Sequence, residues 1–298
     1  MKNLEGKVAF ITGGASGVGL GMTRAFAKAG MKVMMADVRQ DHLDAALKEF
    51  DNTNLAVKAI RVDVSDRAAM AAAADETERQ FGPVQLLCNN AGVNLFAPVD
   101  ESTYDDWDWV LGVNLGGVVN GVQTFVPRMK ALGKGGHVVN TASMAAFITG
   151  PSAGIYTAAK FAVRGMSETL RWSLAQHGIG VSCLCPGLVK SAIHESDRIR
   201  PAALSDTGKV DQEFMARLPA IQKLGMEPDE VAATVMTGVL NNDLYIFPHP
   251  EFKEELREIF DSTLSYMPDG VADPARLAVE EGRRARLSAA KNAGPKDS

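Results

Sequence analysis

The 298-residue chain is 46% hydrophobic and 22% charged, the balance of an ordinary folded domain, and one α/β domain can reach this length. Its formal net charge of −5 supplies no positive field to gather a nucleic-acid backbone or an anionic lipid surface, so neither is expected as a partner. No signal-type apolar segment follows Met1-Lys2-Asn3 and no run approaches the roughly 18 apolar residues of a membrane span, which makes a cytoplasmic location the default expectation.

Short β-branched or apolar runs alternate with longer amphipathic ones. Strands are predicted at 7–12, 32–36, 56–62, 84–88, 136–142, 180–185 and 244–247, with helices near 18–29, 41–50, 66–81, 103–130, 155–177 and 228–241. Strand then helix, repeated, requires a parallel sheet covered on both faces. The expected fold is therefore α/β and doubly wound: a seven-stranded, mainly parallel sheet with helices on both faces, in a single domain over residues 1–250. The irregular stretch 188–226 carries Pro201 and Pro219, is long for a connection, and reads as a substrate lid. Residues 251–298 read as a C-terminal extension, helical near 251–264, then charged at Arg283, Arg284 and Arg286 before Gly294-Pro295, with the last dozen residues solvated or disordered.

Cys88, Cys183 and Cys185 are too few for a disulfide framework and stand in no Cys/His cluster, so no metal is expected. Two apart in an apolar run, Cys183 and Cys185 point to one face of a strand as small buried hydrophobes.

Thr12-Gly13-Gly14-Ala15-Ser16-Gly17-Val18-Gly19 follows the first strand and opens the first helix. Glycines there allow a tight turn and let the backbone approach a pyrophosphate, which the helix N-terminus stabilises through its unpaired N–H groups. Gly13, Ser16, Gly17, Val18 and Gly19 are accordingly candidate cofactor contacts. Asp37, 18 residues after Gly19 at the end of the second strand, is placed to accept hydrogen bonds from adenine ribose hydroxyls and to repel a 2′-phosphate, which favours NAD. Arg39 is near enough to offset that repulsion. Asp63 and Val64, after the third strand, are placed at the adenine edge, although Asp63 serves equally as a cap for the helix starting near Asp66.

Tyr156 and Lys160 stand i and i+4 on a predicted helix and share a face. A cation about 4 Å from the phenol, at an effective dielectric near 20, lowers its pKa by about three units and brings it into range for acid/base work. Ser143, just beyond the fifth strand and thirteen residues before Tyr156, brings a second hydroxyl to the same sheet edge. Asn114 sits inside a long helical segment, where its amide is a poor helix former and invites another explanation.

In order and spacing, the glycine run, Asn89-Asn90-Ala91-Gly92, Asn114, Ser143, Tyr156, Lys160 and Pro186-Gly187 resemble the short-chain dehydrogenase/reductase family, over roughly residues 5–250. The resemblance implies a Rossmann-type fold and an NAD-dependent enzyme interconverting a secondary alcohol and a ketone. It implies Tyr156 as acid/base, Lys160 as the cation that depresses its pKa and binds the nicotinamide ribose, Ser143 orienting the substrate oxygen, and Asn114 holding a relay water. Asn90, Ala91, Gly92, Pro186, Gly187, Val189 and Ser191 would complete the cofactor groove. The family's threonine after Pro-Gly is absent, its hydroxyl supplied later by Ser191.

Met144, Phe147 and Ile148, the run from Val93 to Phe96, and Ile193, Ile199, Phe214 and Met215 are expected to wall an apolar substrate pocket suited to a bulky, aromatic alcohol or ketone. Four segments, at 103–109, 125–129, 198–201 and 244–248, resemble the benzylic alcohol dehydrogenases of lignin-type β-aryl ethers, which are also NAD-linked. Within the family the helices at 103–130 and 155–177 pack against their copies. The second carries Phe161, Met166, Leu170, Trp172 and Leu174 over more than one face, so a homodimer or homotetramer is expected. Two other readings share the scaffold: a 3-oxoacyl thioester reductase, which Asp37 and the acidic balance disfavour, and a non-catalytic cofactor sensor, which would not need Ser143, Tyr156 and Lys160 together.

Overall fold

The structure, a computed structural model, describes residues 1–292. Seven strands form one sheet: β1 (Val8–Thr12), β2 (Lys32–Asp37), β3 (Val57–Arg61), β4 (Val84–Asn89), β5 (Gly136–Thr141), β6 (Ile179–Leu184) and β7 (Tyr245–Ile246). Their order is β3-β2-β1-β4-β5-β6-β7, and every neighbouring pair is parallel. All seven expected strands are present, with ends within a residue or two of those predicted. The order reverses between β1 and β4, and in open α/β sheets ligands bind outside the carboxyl ends of the strands at such a switch.

The strands are apolar throughout because both faces are covered. Side chains alternate between two cores. Phe10, Met34, Leu87, Val138 and Val181 share one cluster with Met70 of helix α3 (Arg67–Phe81) and Phe125 of α5 (Gly117–Leu132). Phe10 and Phe125 meet with ring centroids 4.5 Å apart. On the other face Ala9, Ile11, Val33, Leu86 and Val139 pack with Met22 and Phe26 of α1 (Gly17–Lys28) and with Val231 and Val235 of α8 (Pro228–Asn241). Helix α2 (Gln40–Leu47) flanks β2 and β3, and α6 (Gly154–Ala175) runs from the carboxyl edge of the sheet back to β6.

The helix expected over 103–130 is interrupted. Helix α4 (Tyr104–Leu111) passes through a π-helical turn, Gly112–Gly116, into α5, and Asn114 lies in that turn. Contrary to expectation, the whole run, Tyr104–Leu132, is by length and composition long and apolar enough to cross a membrane. Its apolar window is 56% buried within the fold, as befits a helix packed on a sheet.

The 188–226 stretch is more ordered than expected. It holds 3-10 turns at Ile193–Ile199 and Ala202–Leu204 and helix α7 (Gln212–Gln222), with Pro219 inside the helix. Its two ends are joined at the base, where Met226 N donates to the Leu188 carbonyl at 2.9 Å and Lys190 N donates to the Met226 carbonyl at 3.1 Å. Beyond β7 come a 3-10 turn, Pro250–Phe252, and helices α9 (Lys253–Ser265) and α10 (Pro274–Asn292). Helix α10 takes in the three arginines and runs to Asn292; Gly294-Pro295 lies outside the described residues.

Candidate active site

A cavity of about 490 Å³ lies along the carboxyl ends of β1, β2, β4, β5 and β6 and extends under the 188–226 segment. At one end is the glycine turn. Gly13 has φ +62° and Gly17 φ +48°, conformations that strain any other residue. A Cβ on Gly13 would stand 2.9 Å from Ala91 Cα, and one on Gly19 would stand 1.9 Å from the Gly13 carbonyl oxygen, so the turn and the first turn of α1 close only around bare backbone.

Asn90 pins this turn from β4. Its Nδ2 donates to the Thr12 carbonyl at 3.1 Å, its main-chain N donates to Thr12 Oγ1 at 2.9 Å, and its Oδ1 accepts from Thr141 Oγ1 at 3.2 Å. Asn90, Ala91 and Gly92 all line the cavity, as do Gly13, Ser16, Gly17 and Val18. Gly19 does not; it sits behind the turn and permits its close packing.

Asp37 lines the same end, its carboxylate accepting from Arg39 N at 3.0 Å and Ala15 N at 3.3 Å. Burial raises its pKa above the ordinary carboxylate range, and these two N–H donors oppose the rise. Arg39 is already engaged with Asp41 and Glu195. Asp63 and Val64 line the cavity. Of the two roles open to Asp63, the cap belongs instead to Asp66, which accepts from Ala68 N and Ala69 N; Asp63 accepts from Ser65. Glycine backbone at a helix N-terminus, with a carboxylate at the end of β2, fits a dinucleotide, the pyrophosphate over α1 and the ribose at Asp37.

Ser143, Tyr156, Lys160, Pro186, Gly187, Val189 and Ser191 also line the cavity, with Ser143 Oγ donating to the Pro186 carbonyl at 3.4 Å. Lys160 Nζ donates to the Thr141 carbonyl at 3.0 Å and lies 5.3 Å from the centroid of the Tyr156 ring. Burial pushes its pKa down to about 8. The phenol of Tyr156 is raised by burial, against which a hydrogen bond with Ser143 works. Desolvation is thus the larger influence on the phenol, and the Lys160 ammonium is held on the Thr141 carbonyl rather than on the phenol oxygen.

Asn114 is wholly buried and outside the cavity lining. Its amide closes a two-bond clamp on Val93, with Oδ1 accepting from Val93 N and Nδ2 donating to Val93 O, both at 2.8 Å. Asn114 makes this clamp from within the π-helical turn.

The far end is walled by Phe96, Trp109, Ile193, Ile199, Phe214 and Leu218, with the Phe96 and Phe214 rings 4.7 Å apart. Met144 and Phe147, expected there, are elsewhere. Ser143 Oγ caps a 3-10 turn, Met144–Ala146, that turns the following side chains into a separate cluster with Cys183 and Cys185. There the Arg164 guanidinium lies 3.9 Å over the Phe147 ring. Ile148 joins the same cluster, and neither Leu95 nor Met215 lines the cavity.

Several cavity residues had no signal in the sequence pattern. Asn94 and Gln222 both line the cavity, and Asn94 Oδ1 and Gln222 Oε1 are buried with no hydrogen-bond partner. His249 reaches the Pro186-Gly187 turn, Nδ1 accepting from Gly187 N at 3.1 Å and Nε2 bonding the Leu188 carbonyl at 3.0 Å. Phe252 also lines the cavity, so the boundary expected at residue 250 runs through the site rather than beside it. A lone amide or histidine in a loop carries no periodicity; only the fold brings these together.

A profile of the short chain dehydrogenase family matches residues 7–201. The chain belongs to this family. It is an oxidoreductase on a Rossmann-type fold. Among relatives of this short-chain dehydrogenase is a "C alpha-dehydrogenase" of Sphingobium sp. (strain NBRC 103272 / SYK-6), 43% identical over 97% of this chain and 93% of its own. The solved LigO apo form from Sphingobium sp. strain SYK-6 is also 43% identical, with TM-score 0.75 over 97% of this chain and 98% of its own. A short-chain dehydrogenase/reductase from Burkholderia phymatum, solved in complex with NAD, is 35% identical with TM-score 0.85 over 92% of this chain and all of its own.

Proposed function

We propose that this short-chain dehydrogenase uses NAD to interconvert a bulky, aromatic secondary alcohol of benzylic type and the corresponding ketone, with Tyr156 as acid/base. The observation that carries the reading is a single cavity shared by the glycine turn, Ser143, Tyr156 and Lys160, and an aromatic wall of Phe96, Trp109 and Phe214. The NAD complex of the Burkholderia relative and the name of the Sphingobium relative support it.

NAD, when bound along Gly13 to Val18 with its adenosine ribose at Asp37, supplies the acceptor for the hydrogen and electron pair removed from the alcohol carbon. Ser143 Oγ donates to the substrate oxygen and fixes its position. Tyr156 Oη takes the hydroxyl proton as the carbon–oxygen bond becomes a carbonyl, and returns it in the reverse direction. Lys160, tethered to the Thr141 carbonyl, provides the nearby positive charge that favours a phenolate. Asn114 fixes Val93 at the end of β4 and so the wall beside the reacting carbon.

Residues 188–226 act as the lid, and the unpartnered amide oxygens of Asn94 and Gln222 are polar anchors in a cavity that also holds the aromatic wall of Phe96, Trp109 and Phe214. Burying such groups unpaired costs about 1–3 kcal/mol each, a cost that a substrate hydroxyl relieves. Phe161 on α6 and Val119 on α5 are exposed, which supports assembly of two or four copies through these helices.

A panel of benzylic, aliphatic, steroid and 3-hydroxyacyl alcohols, followed by the near-ultraviolet absorbance of reduced nicotinamide, tests the reading. Fastest turnover of a benzylic alcohol supports it; preference for a 3-hydroxyacyl thioester replaces it.

A further inference from the structure

Arg39 stands at the adenine end of the groove, two residues beyond Asp37, where a free guanidinium would attract a phosphate on the adenosine ribose. It is not free. Nε and Nη2 donate to the Asp41 carboxylate at 3.0 and 2.5 Å, and Nη1 donates to Glu195 Oε2 at 2.6 Å. Glu195 comes from the lid, 156 positions away in sequence, and itself lines the groove. The pair is mostly sheltered, with 18% and 25% of the two side chains exposed, whereas Asp41 is 65% exposed. Glu195 does not sit there by chance of a loose loop. Arg198 holds its other oxygen at 3.2 Å, and Ser196 Oγ, next in the chain, accepts from Asn94 N at 3.0 Å.

We propose that Glu195 is a specificity-determining residue for the dinucleotide: the lid carries it onto Arg39 and withdraws that guanidinium from any 2′-phosphate. The refusal of NADP is then shared between Asp37, which repels the phosphate directly, and Glu195, which removes its natural cationic partner. Cofactor choice and the position of the substrate lid become one event, because the same 3-10 turn, Ile193–Ile199, contributes Ile193 and Ile199 to the substrate cavity. This inference rests on the NAD reading above.

The test is direct binding to the purified full chain, by calorimetry or tryptophan fluorescence, with NAD and NADP as the probes and no turnover required. Glu195→Gln is expected to tighten NADP about fivefold or more, the order of magnitude for one guanidinium made available to a phosphate dianion in a solvent-rich cleft. NAD should change less. In an Arg39→Gln background the same Glu195→Gln change is expected to leave NADP affinity unaltered, since there is no guanidinium left to release. Wild-type preference for NAD with no gain for Glu195→Gln, or an equal gain in both backgrounds, overturns the role of Glu195 while leaving the NAD reading intact. Equal binding of both dinucleotides by the wild type overturns both.

Discussion

Lys160 Nζ donates to the Thr141 carbonyl at 3.0 Å and lies 5.3 Å from the Tyr156 ring centroid, so the ammonium is tethered to β5 rather than to the phenol oxygen. Burial raises the pKa of the Tyr156 phenol above its ordinary value, which favours its protonated form. Ketone reduction, which needs a proton donor, is therefore expected to proceed at neutral pH, and alcohol oxidation, which needs the phenolate, to accelerate toward alkaline pH. Profiles of kcat/KM in both directions check this. Tyr156→Phe is expected to retain NAD binding and lose about 10³-fold in turnover; unchanged turnover removes the tyrosine from the mechanism.

Gln222 is nine-tenths buried at the cavity wall with Oε1 unpaired. Gln222→Leu is expected to raise KM about tenfold for an aromatic alcohol bearing a second hydroxyl, and to leave KM nearly unchanged for the analogue lacking it. An equal effect on both substrates would show that the amide supports only the shape of the wall.

Arg200 ties the 188–226 segment to α4. Its guanidinium donates to the wholly buried Asp106 at 2.7 Å and lies 5.1 Å from the Trp109 ring. Breaking one side of a buried pair leaves an uncompensated charge and costs about 3 kcal/mol. Arg200→Ala is expected to speed limited proteolysis within 188–226 and to raise substrate KM more than NAD Kd.

The strands and most helices were legible because they follow from burial alone: apolar runs of sheet length, separated by helical periodicity, specify a covered parallel sheet. The glycine turn was legible because it demands backbone that only glycine supplies at Gly13 and Gly17. Helix α7 was not, since Pro219 reads as a breaker, and α10 was not, since its run of charged residues reads as a solvated stretch. The placement of Met144 and Phe147 was misread because hydrophobicity says that a side chain is buried and not in which cluster. Asn94, Gln222, Glu195 and His249 matter through partners, or missing partners, distant in sequence, which no local pattern encodes.

His137 in β5 is fully buried, with one ring nitrogen against Ser182 Oγ at 2.8 Å and the other unpaired. Burial pulls its pKa down to about 3, so the native state keeps it neutral. Between the unfolded value near 6.5 and about 3, the unfolded chain binds a proton that the native state does not. Its contribution to stability is intact above about pH 6.5 and declines as pH falls, by up to about 1.4 kcal/mol per unit. Urea titrations at pH 7, 6 and 5 should show this slope in the wild type and a flatter one in His137→Gln; equal slopes would exonerate the histidine.

The two rims of the sheet also differ from its interior. One rim, β7, is only two residues long, and the other, β3, sets the exposed charges of Lys58 and Arg61 among its residues. Neither offers a flat apolar template on which another chain could extend the ladder. Concentrated solutions of the folded protein should accordingly resist strand-mediated aggregation, and assembly is left to its helical surfaces.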